Sequence, residues 1–86
     1  MEIYKGETGL EETWQEPFPS VVKCPHCGGK ARIIFVAIEK EEPKGQYICD
    51  LRENGGKGDY WFHDACAVAV YLCKDCFEIT GLENQA

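Results

Sequence analysis

Two cysteine pairs of the form Cys-x-x-Cys, Cys24/Cys27 and Cys73/Cys76, bracket the middle of this 86-residue chain. One pair from each of two loops is the spacing of a tetrahedral thiolate metal site, most often zinc. This feature constrains the fold more than any other. Below about 70–80 residues a lone apolar core seldom supplies more than ~3–5 kcal/mol, so a chain this short needs a staple. Structural zinc in small fingers is coupled to folding with an apparent ~10–16 kcal/mol at neutral pH. The expectation is one small domain closed round a cation.

Six cysteines are also compatible with a disulfide scaffold. The N-terminus, Met1-Glu2-Ile3-Tyr4-Lys5-Gly6-Glu7, is neither basic nor followed by an apolar stretch, as a secretory signal would be. No run approaches the ~18 apolar residues of a membrane span. A reducing cytoplasm is therefore expected, where such pairs hold metal rather than each other. Nine basic against fifteen acidic residues give a net charge of −6. Four thiolates outweigh a divalent cation, so a metal-loaded chain is more acidic still. That balance disfavours non-specific attraction to nucleic acid, with Lys23, Lys30 and Arg32 the one thin basic cluster.

Residues 1–20 carry five glutamates, one lysine and two prolines, and read as an acidic N-terminal arm. Either the arm lays Trp14 and Phe18 on the domain, or it offers them to a basic partner. The metal-binding domain is expected over 21–82, with a frayed tail at 83–86. Cys24-Pro25-His26-Cys27-Gly28-Gly29 is a tight turn, and residues 30–38 form a strand rich in branched side chains. Residues 39–45 read as a charged hairpin loop and 46–51 as the returning strand. Residues 54–59 are a glycine-rich turn, and 60–63 a short aromatic strand. Residues 65–72 fit strand or helix, the strand being preferred because an extended segment usually delivers a cysteine turn. As a strand they put Cys66, Val68, Val70 and Leu72 on one face, with Ala67, Ala69 and Tyr71 on the other. Residues 77–82 read as a short terminal helix.

In such a cysteine turn the backbone folds back so that its N–H groups point at the sulfurs and offset their charge. Pro25 presets the turn, while Gly28 and Gly29 permit positive φ where the chain leaves the metal. The run Cys24-Pro25-His26-Cys27-Gly28-Gly29 followed by a strand resembles the first knuckle of zinc ribbons and treble-clef fingers. In both, a hairpin follows and a second Cys-x-x-Cys completes the site. The resemblance covers about residues 23–80 and implies a small metal-stabilised α+β fold, rich in β, with antiparallel hairpins and a short C-terminal helix. The opening, residues 24–31, also resembles small phage-type zinc ribbons such as restriction-alleviation proteins. Cys73-Lys74-Asp75-Cys76 runs into Phe77-Glu78-Ile79 without a glycine, which looks more like a treble clef whose last ligand pair opens a helix; that helix's dipole would favour the thiolates.

Trp61-Phe62-His63-Asp64-Ala65-Cys66, then Tyr71-Leu72-Cys73-Lys74-Asp75-Cys76, is similar to the later half of plant-homeodomain and related cross-brace fingers. That likeness implies one zinc on Cys24, Cys27, His63 and Cys66, and another on Cys49, Cys73, Cys76 and a fourth ligand. A single site from Cys24, Cys27, Cys73 and Cys76 is preferred. Cys49 and Cys66 are then small buried hydrophobes and His63 a supporting residue, though all three remain candidate ligands. His26, inside the knuckle, points outward. Tyr60, Trp61 and Phe62 cannot all be buried on one side of a strand, so Trp61 joins Trp14 and Phe18 as a candidate partner-binding residue.

Thiolate-saturated zinc has no open position and activates no water. No serine–histidine–carboxylate set or phosphate loop is evident, so no enzymatic activity is expected. The leading expectation is a non-catalytic zinc module presenting a surface to another protein, a basic one suiting the acidic charge. A nucleic-acid-associated zinc ribbon is the alternative. A thiol–disulfide redox protein is third, because Cys-Pro-His-Cys resembles the active-site context of strongly oxidising bacterial disulfide oxidases. There the pair opens a long helix, whereas here Gly28-Gly29 and a strand follow.

Overall fold

The nine-residue strand Lys30–Ile38 is the spine of the sheet, pairing with three of the other four strands. Its run of Ile, Phe and Val suits a pleated surface with neighbours on both sides. The computed structural model describes residues 1–13, 15–38 and 66–85. Among these the strands are β1 (Glu2–Lys5), β2 (Val21–Lys23), β3 (Lys30–Ile38), β4 (Cys66–Cys73) and β5 (Ile79–Gln85), with a 3₁₀ turn at Gly6–Gly9. They form one antiparallel sheet in the order β1-β3-β4-β5. The short β2 pairs with β3 beside the metal end, Lys23 opposite Lys30. The small, β-rich, antiparallel character expected from the sequence is present.

Residues 66–73 are a strand, the preferred reading of that stretch. The expected helix at 77–82 is not present. After Cys76 the chain turns at Phe77 (φ 60°) and enters β5, which runs on to Gln85 instead of fraying at 83. The expected loop at 39–45, strand at 46–51, turn at 54–59 and aromatic strand at 60–63 lie outside the described residues, as does Trp14.

The sheet buries one face much more fully than the other. Ala31, Ile33, Val36 and Ile38 of β3 share that face with Ala67, Ala69, Tyr71 and Cys73 of β4. A register shift between Ile33 and Phe35 marks a β-bulge, which flips the alternation half-way along β3. Without it, either Ile33 or Val36 would face away from the core. Small alanines line this face because Gly9, Leu10 and Phe18 pack on it. Gly9 sits so close that a Cβ there would lie 2.5 Å from Tyr4 Cβ and 2.9 Å from Val36 Cβ. Phe18 is 4% exposed within the same cluster. Phe18 N–H donates to Leu10 O at 2.9 Å, and the Tyr71 hydroxyl donates to Pro19 O at 2.8 Å. Burial raises the pKa of that hydroxyl, holding it protonated as the donor. The N-terminal segment is thus a layer over the sheet, with β1 adding an edge strand. The opposite face is only partly covered, with a small cluster of Phe35, Ala37 and Val68.

Candidate metal centre

β2 ends at Lys23 and β4 ends at Cys73, so neighbouring strand ends deliver the two cysteine turns to one end of the sheet. Lys74 N–H donates to Lys30 O at 3.2 Å and ties the turns together. Cys24, Cys27, Cys73 and Cys76 are free thiols whose sulfurs all lie within 4.8 Å of one another. Cys24 Sγ is 3.7 Å from Cys76 Sγ, and Cys27 Sγ is 3.5 Å from Cys73 Sγ. A regular tetrahedron with metal–sulfur bonds of about 2.3 Å has sulfur–sulfur edges of about 3.8 Å. Disulfide sulfurs stand about 2.05 Å apart, so these pairs are unbonded. The donor set fits a four-coordinate ion with all positions filled by thiolate.

The two turns are built alike, atom for atom in the backbone. Gly28 N–H donates to Cys24 O (2.9 Å) and Cys24 N–H to Gly29 O (2.8 Å). In the second, Phe77 N–H donates to Cys73 O (3.1 Å) and Cys73 N–H to Glu78 O (3.0 Å). His26 N–H points at Cys24 Sγ and Asp75 N–H at Cys73 Sγ, each at 3.4 Å. Gly29 N–H points at Cys27 Sγ at 3.4 Å, and Glu78 N–H serves Cys76 in the same way. The first cysteine of each pair is buried, while Cys27 is exposed and Cys76 half-buried.

The thiols titrate very differently. The N–H groups of Cys76 and Asp75 stabilise the Cys73 thiolate and bring its pKa down to about 6. At Cys76 the Glu78 N–H works in the same direction, but burial and the three neighbouring sulfurs outweigh it and push the pKa up to about 12. Cys27 is raised as well: the Gly29 N–H favours its thiolate, but the Cys73 and Cys24 sulfur contacts and burial together outweigh it. Four crowded sulfurs cannot all ionise without a counter-charge. A bound cation supplies that charge, so metal uptake releases protons.

Of the sequence-predicted ligands, the structure brings together Cys24, Cys27, Cys73 and Cys76. Cys66 opens β4 at the end away from Cys73, about 23 Å along the strand, too far to join a site formed by these four. The cross-brace set of Cys24 and Cys27 with Cys66 is therefore not formed. Cys49, His63 and Trp61 lie outside the described residues. Phe18, a candidate for partner contact, is buried in the core instead. His26 is exposed, as its place in the turn requires.

Two residues escaped the sequence reading. Phe77 occupies the left-handed position that Gly28 (φ 78°) occupies in the first turn. Aligning the two pairs, Cys-x-x-Cys-Gly with Cys-x-x-Cys-Phe, carries the signal. Asp75 packs its carboxylate against Gly29 across the site, and its outer oxygen accepts from Lys74 Nζ at 3.0 Å. Comparison of the chain with protein-family models, curated proteins and solved structures yields no match.

Proposed function

We propose that this chain is a non-catalytic zinc-binding module of the zinc-ribbon type, working in a reducing compartment, whose sheet presents a surface to another protein. One observation carries the metal reading: four thiol sulfurs from two equivalent turns, spaced as the edges of a tetrahedron. Four thiolate donors with no carboxylate or water position favour zinc in a structural role. Such a site holds the fold and polarises no substrate. Binding is the work left to the surface, and Phe77 and Ile79, which follow the second turn, are exposed large apolar side chains. Native mass spectrometry with elemental analysis tests the reading. One zinc per chain at neutral pH, released on acidification, is the expected result. A chain carrying iron, or cysteines bonded in pairs, refutes it. The interaction half is tested by capture from a lysate with metal-loaded and chelated protein side by side; equal capture by both sinks it.

A second reading has one observation in its favour. The pairings Lys23↔Lys30 and Val21↔Arg32 place Lys23, Lys30 and Arg32 on one face beside the first turn, all three exposed. Such a patch suits a nucleic-acid-associated ribbon despite the chain's net charge of −6. Binding to single- and double-stranded oligonucleotides that weakens steeply with salt, and is abolished by reversing these three charges, would carry it.

A further inference from the structure

The four sulfurs are not held equally. Cys24 and Cys73 are 1% and 0% exposed, Cys76 is half-buried, and Cys27 is exposed. Cys24 follows β2 directly and Cys73 ends β4, so both are fixed by the sheet. Cys27 lies in the turn between β2 and β3, outside any strand. Of the four, its sulfur can leave a bound ion with the least disturbance of the fold.

A second donor stands beside that corner. Asp75 belongs to the other turn, where its N–H points at Cys73 Sγ at 3.4 Å. Its carboxylate reaches across to the first turn. A Cβ built on Gly29 would run into Asp75 Oδ2 and lie 3.3 Å from Cys27 Sγ, so this oxygen and that sulfur flank the same small gap. Lys74 Nζ donates to the outer oxygen, Oδ1, at 3.0 Å, and Oδ2 has no hydrogen-bond partner among the described residues. The Lys74 and Asp75 side chains are 59% and 50% exposed, so their contact is weak and the carboxylate can turn. Asp75 is a neighbour of the four-sulfur set and not a member of it.

We infer that Asp75 is a reserve ligand, whose carboxylate replaces the Cys27 thiolate on the ion while the site is loaded or emptied. One bond forms and one breaks. Asp75 Oδ2 becomes the donor as Cys27 Sγ departs with its electron pair and takes a proton from solvent. Thiolate and carboxylate each carry one negative charge, so the charge around the ion is unchanged. Zinc takes aspartate oxygen as well as cysteine sulfur in four-coordinate sites. Without Asp75 the same exchange passes through a site short of one donor and one negative charge. The inference rests on the zinc reading above and adds the corner through which the ion enters and leaves.

The test uses the full chain loaded with natural zinc and then given an excess of zinc enriched in a heavy isotope. Native mass spectrometry at neutral pH follows the replacement of one isotope by the other. Asp75→Asn should exchange about tenfold more slowly than the parent, while its zinc affinity, read by chelator competition, moves less than about threefold. A ligand used only in passing slows entry and exit alike. Loss of a negative charge does the opposite, weakening affinity and hastening release. Asp75→Glu keeps a carboxylate and should restore most of the parent rate. In a Cys27→Ala chain Asp75 becomes the standing fourth donor, so adding Asp75→Asn should cost about a further tenfold in affinity.

Exchange from Asp75→Asn as fast as from the parent overturns the inference, whether or not Cys27→Ala folds. So does faster release with weaker binding, the mark of a lost charge alone. Asp75→Glu as slow as Asp75→Asn overturns it too, as does Asp75→Asn without effect in a folded Cys27→Ala chain. A chain that takes up no zinc fails the metal reading and this one together. A chain that binds one zinc, with exchange indifferent to Asp75, loses this inference alone.

Discussion

At Gly28 and at Phe77 the chain performs the same manoeuvre with opposite means. Each residue follows the second cysteine of a pair, adopts a left-handed φ (78° and 60°), and donates its N–H to the carbonyl of the first cysteine. In the first turn glycine takes that conformation without strain. In the second a bulky, exposed aromatic is forced into it. The turn is therefore dictated by what the sulfurs require, two thiolates facing one point with N–H groups behind them, and local preference only makes it easy or hard. The easy turn leads into β3, an interior strand of the sheet. The strained one leads into β5, the outermost strand on the other side among the described residues.

The largest test of this equivalence is removal of the metal. An apparent ~10–16 kcal/mol of structural zinc binding matches or exceeds the ~5–15 kcal/mol stability of ordinary domains. Chelation should abolish the cooperative thermal transition and the β-sheet circular-dichroism signal. Cys24→Ser and Cys73→Ser should be about equally damaging, since both replace the buried first cysteine of a turn. A Cys73→Ser protein that melts like the parent while Cys24→Ser is unfolded would break the symmetry.

Acid comes next, and it distinguishes the turns. Cys73, lowered to about 6 from the ordinary 9.0, stabilises the metal-free fold fully above pH 9, and that contribution is lost as pH falls toward 6. Cys76, raised to about 12, contributes fully below pH 9 and loses its contribution as pH rises toward 12. The second turn thus offers the first thiolate to an incoming cation. Zinc affinity, measured by chelator competition, should fall with decreasing pH and collapse below about pH 6, where Cys73 too takes its proton. An affinity flat between about pH 8 and 5 contradicts this account.

Exchanging the turn residues gives smaller effects of opposite sign. Gly28→Ala puts a Cβ at φ 78° and should lower unfolding free energy by about 1–2 kcal/mol, read from denaturant midpoints of the zinc-loaded chain. Phe77→Gly relieves the same strain and gives up little burial, the ring being mostly in solvent. Part of the gain is returned as the extra unfolded-state freedom of glycine, leaving about 1 kcal/mol of stabilisation. If both substitutions destabilise, Phe77 is held by packing rather than despite strain.

The sequence carried some of this plainly. Paired cysteines at three-residue spacing can reach one ion only through a turn, so the four ligands were legible without the sheet. The strand at 66–73 was legible only through the cysteine turn it delivers, because so apolar a run fits strand or helix equally by periodicity. Its inward face was not, because the alanines point in where Gly9, Leu10 and Phe18 cover the sheet, a contact distant in sequence. Nor was the parity of β3, which a bulge near Ile34 reverses without any glycine to announce it. β1 was missed because four residues carrying two exposed charges have no strand signature of their own; β3 supplies the partner. The helix expected at 77–82 failed for a related reason. Phe77-Glu78-Ile79 has acceptable helix propensity, but the hydrogen bonds of the second turn set φ at Phe77 and aim the chain along β4.

The smallest effect probes the next position along. Gly29 and Glu78 are equivalents: each donates its N–H to the second cysteine's sulfur and accepts from the first cysteine's N–H. Since Glu78 carries a full side chain there, the backbone itself does not demand glycine. What crowds Gly29 is local: a Cβ would run into the Asp75 carboxylate and lie 3.3 Å from Cys27 Sγ. The carboxylate is the free end of a half-exposed side chain and can swing aside, giving up only the Lys74 contact. Gly29→Ala should therefore cost no more than about 0.5 kcal/mol, and less still in an Asp75→Ala background, where the obstruction is gone. A double-mutant cycle on zinc-loaded protein reads the coupling directly. If Gly29→Ala costs more than about 1 kcal/mol even without the Asp75 carboxylate, the two turns are not interchangeable, and the Cys27 sulfur sets a tighter limit than its counterpart at Cys76.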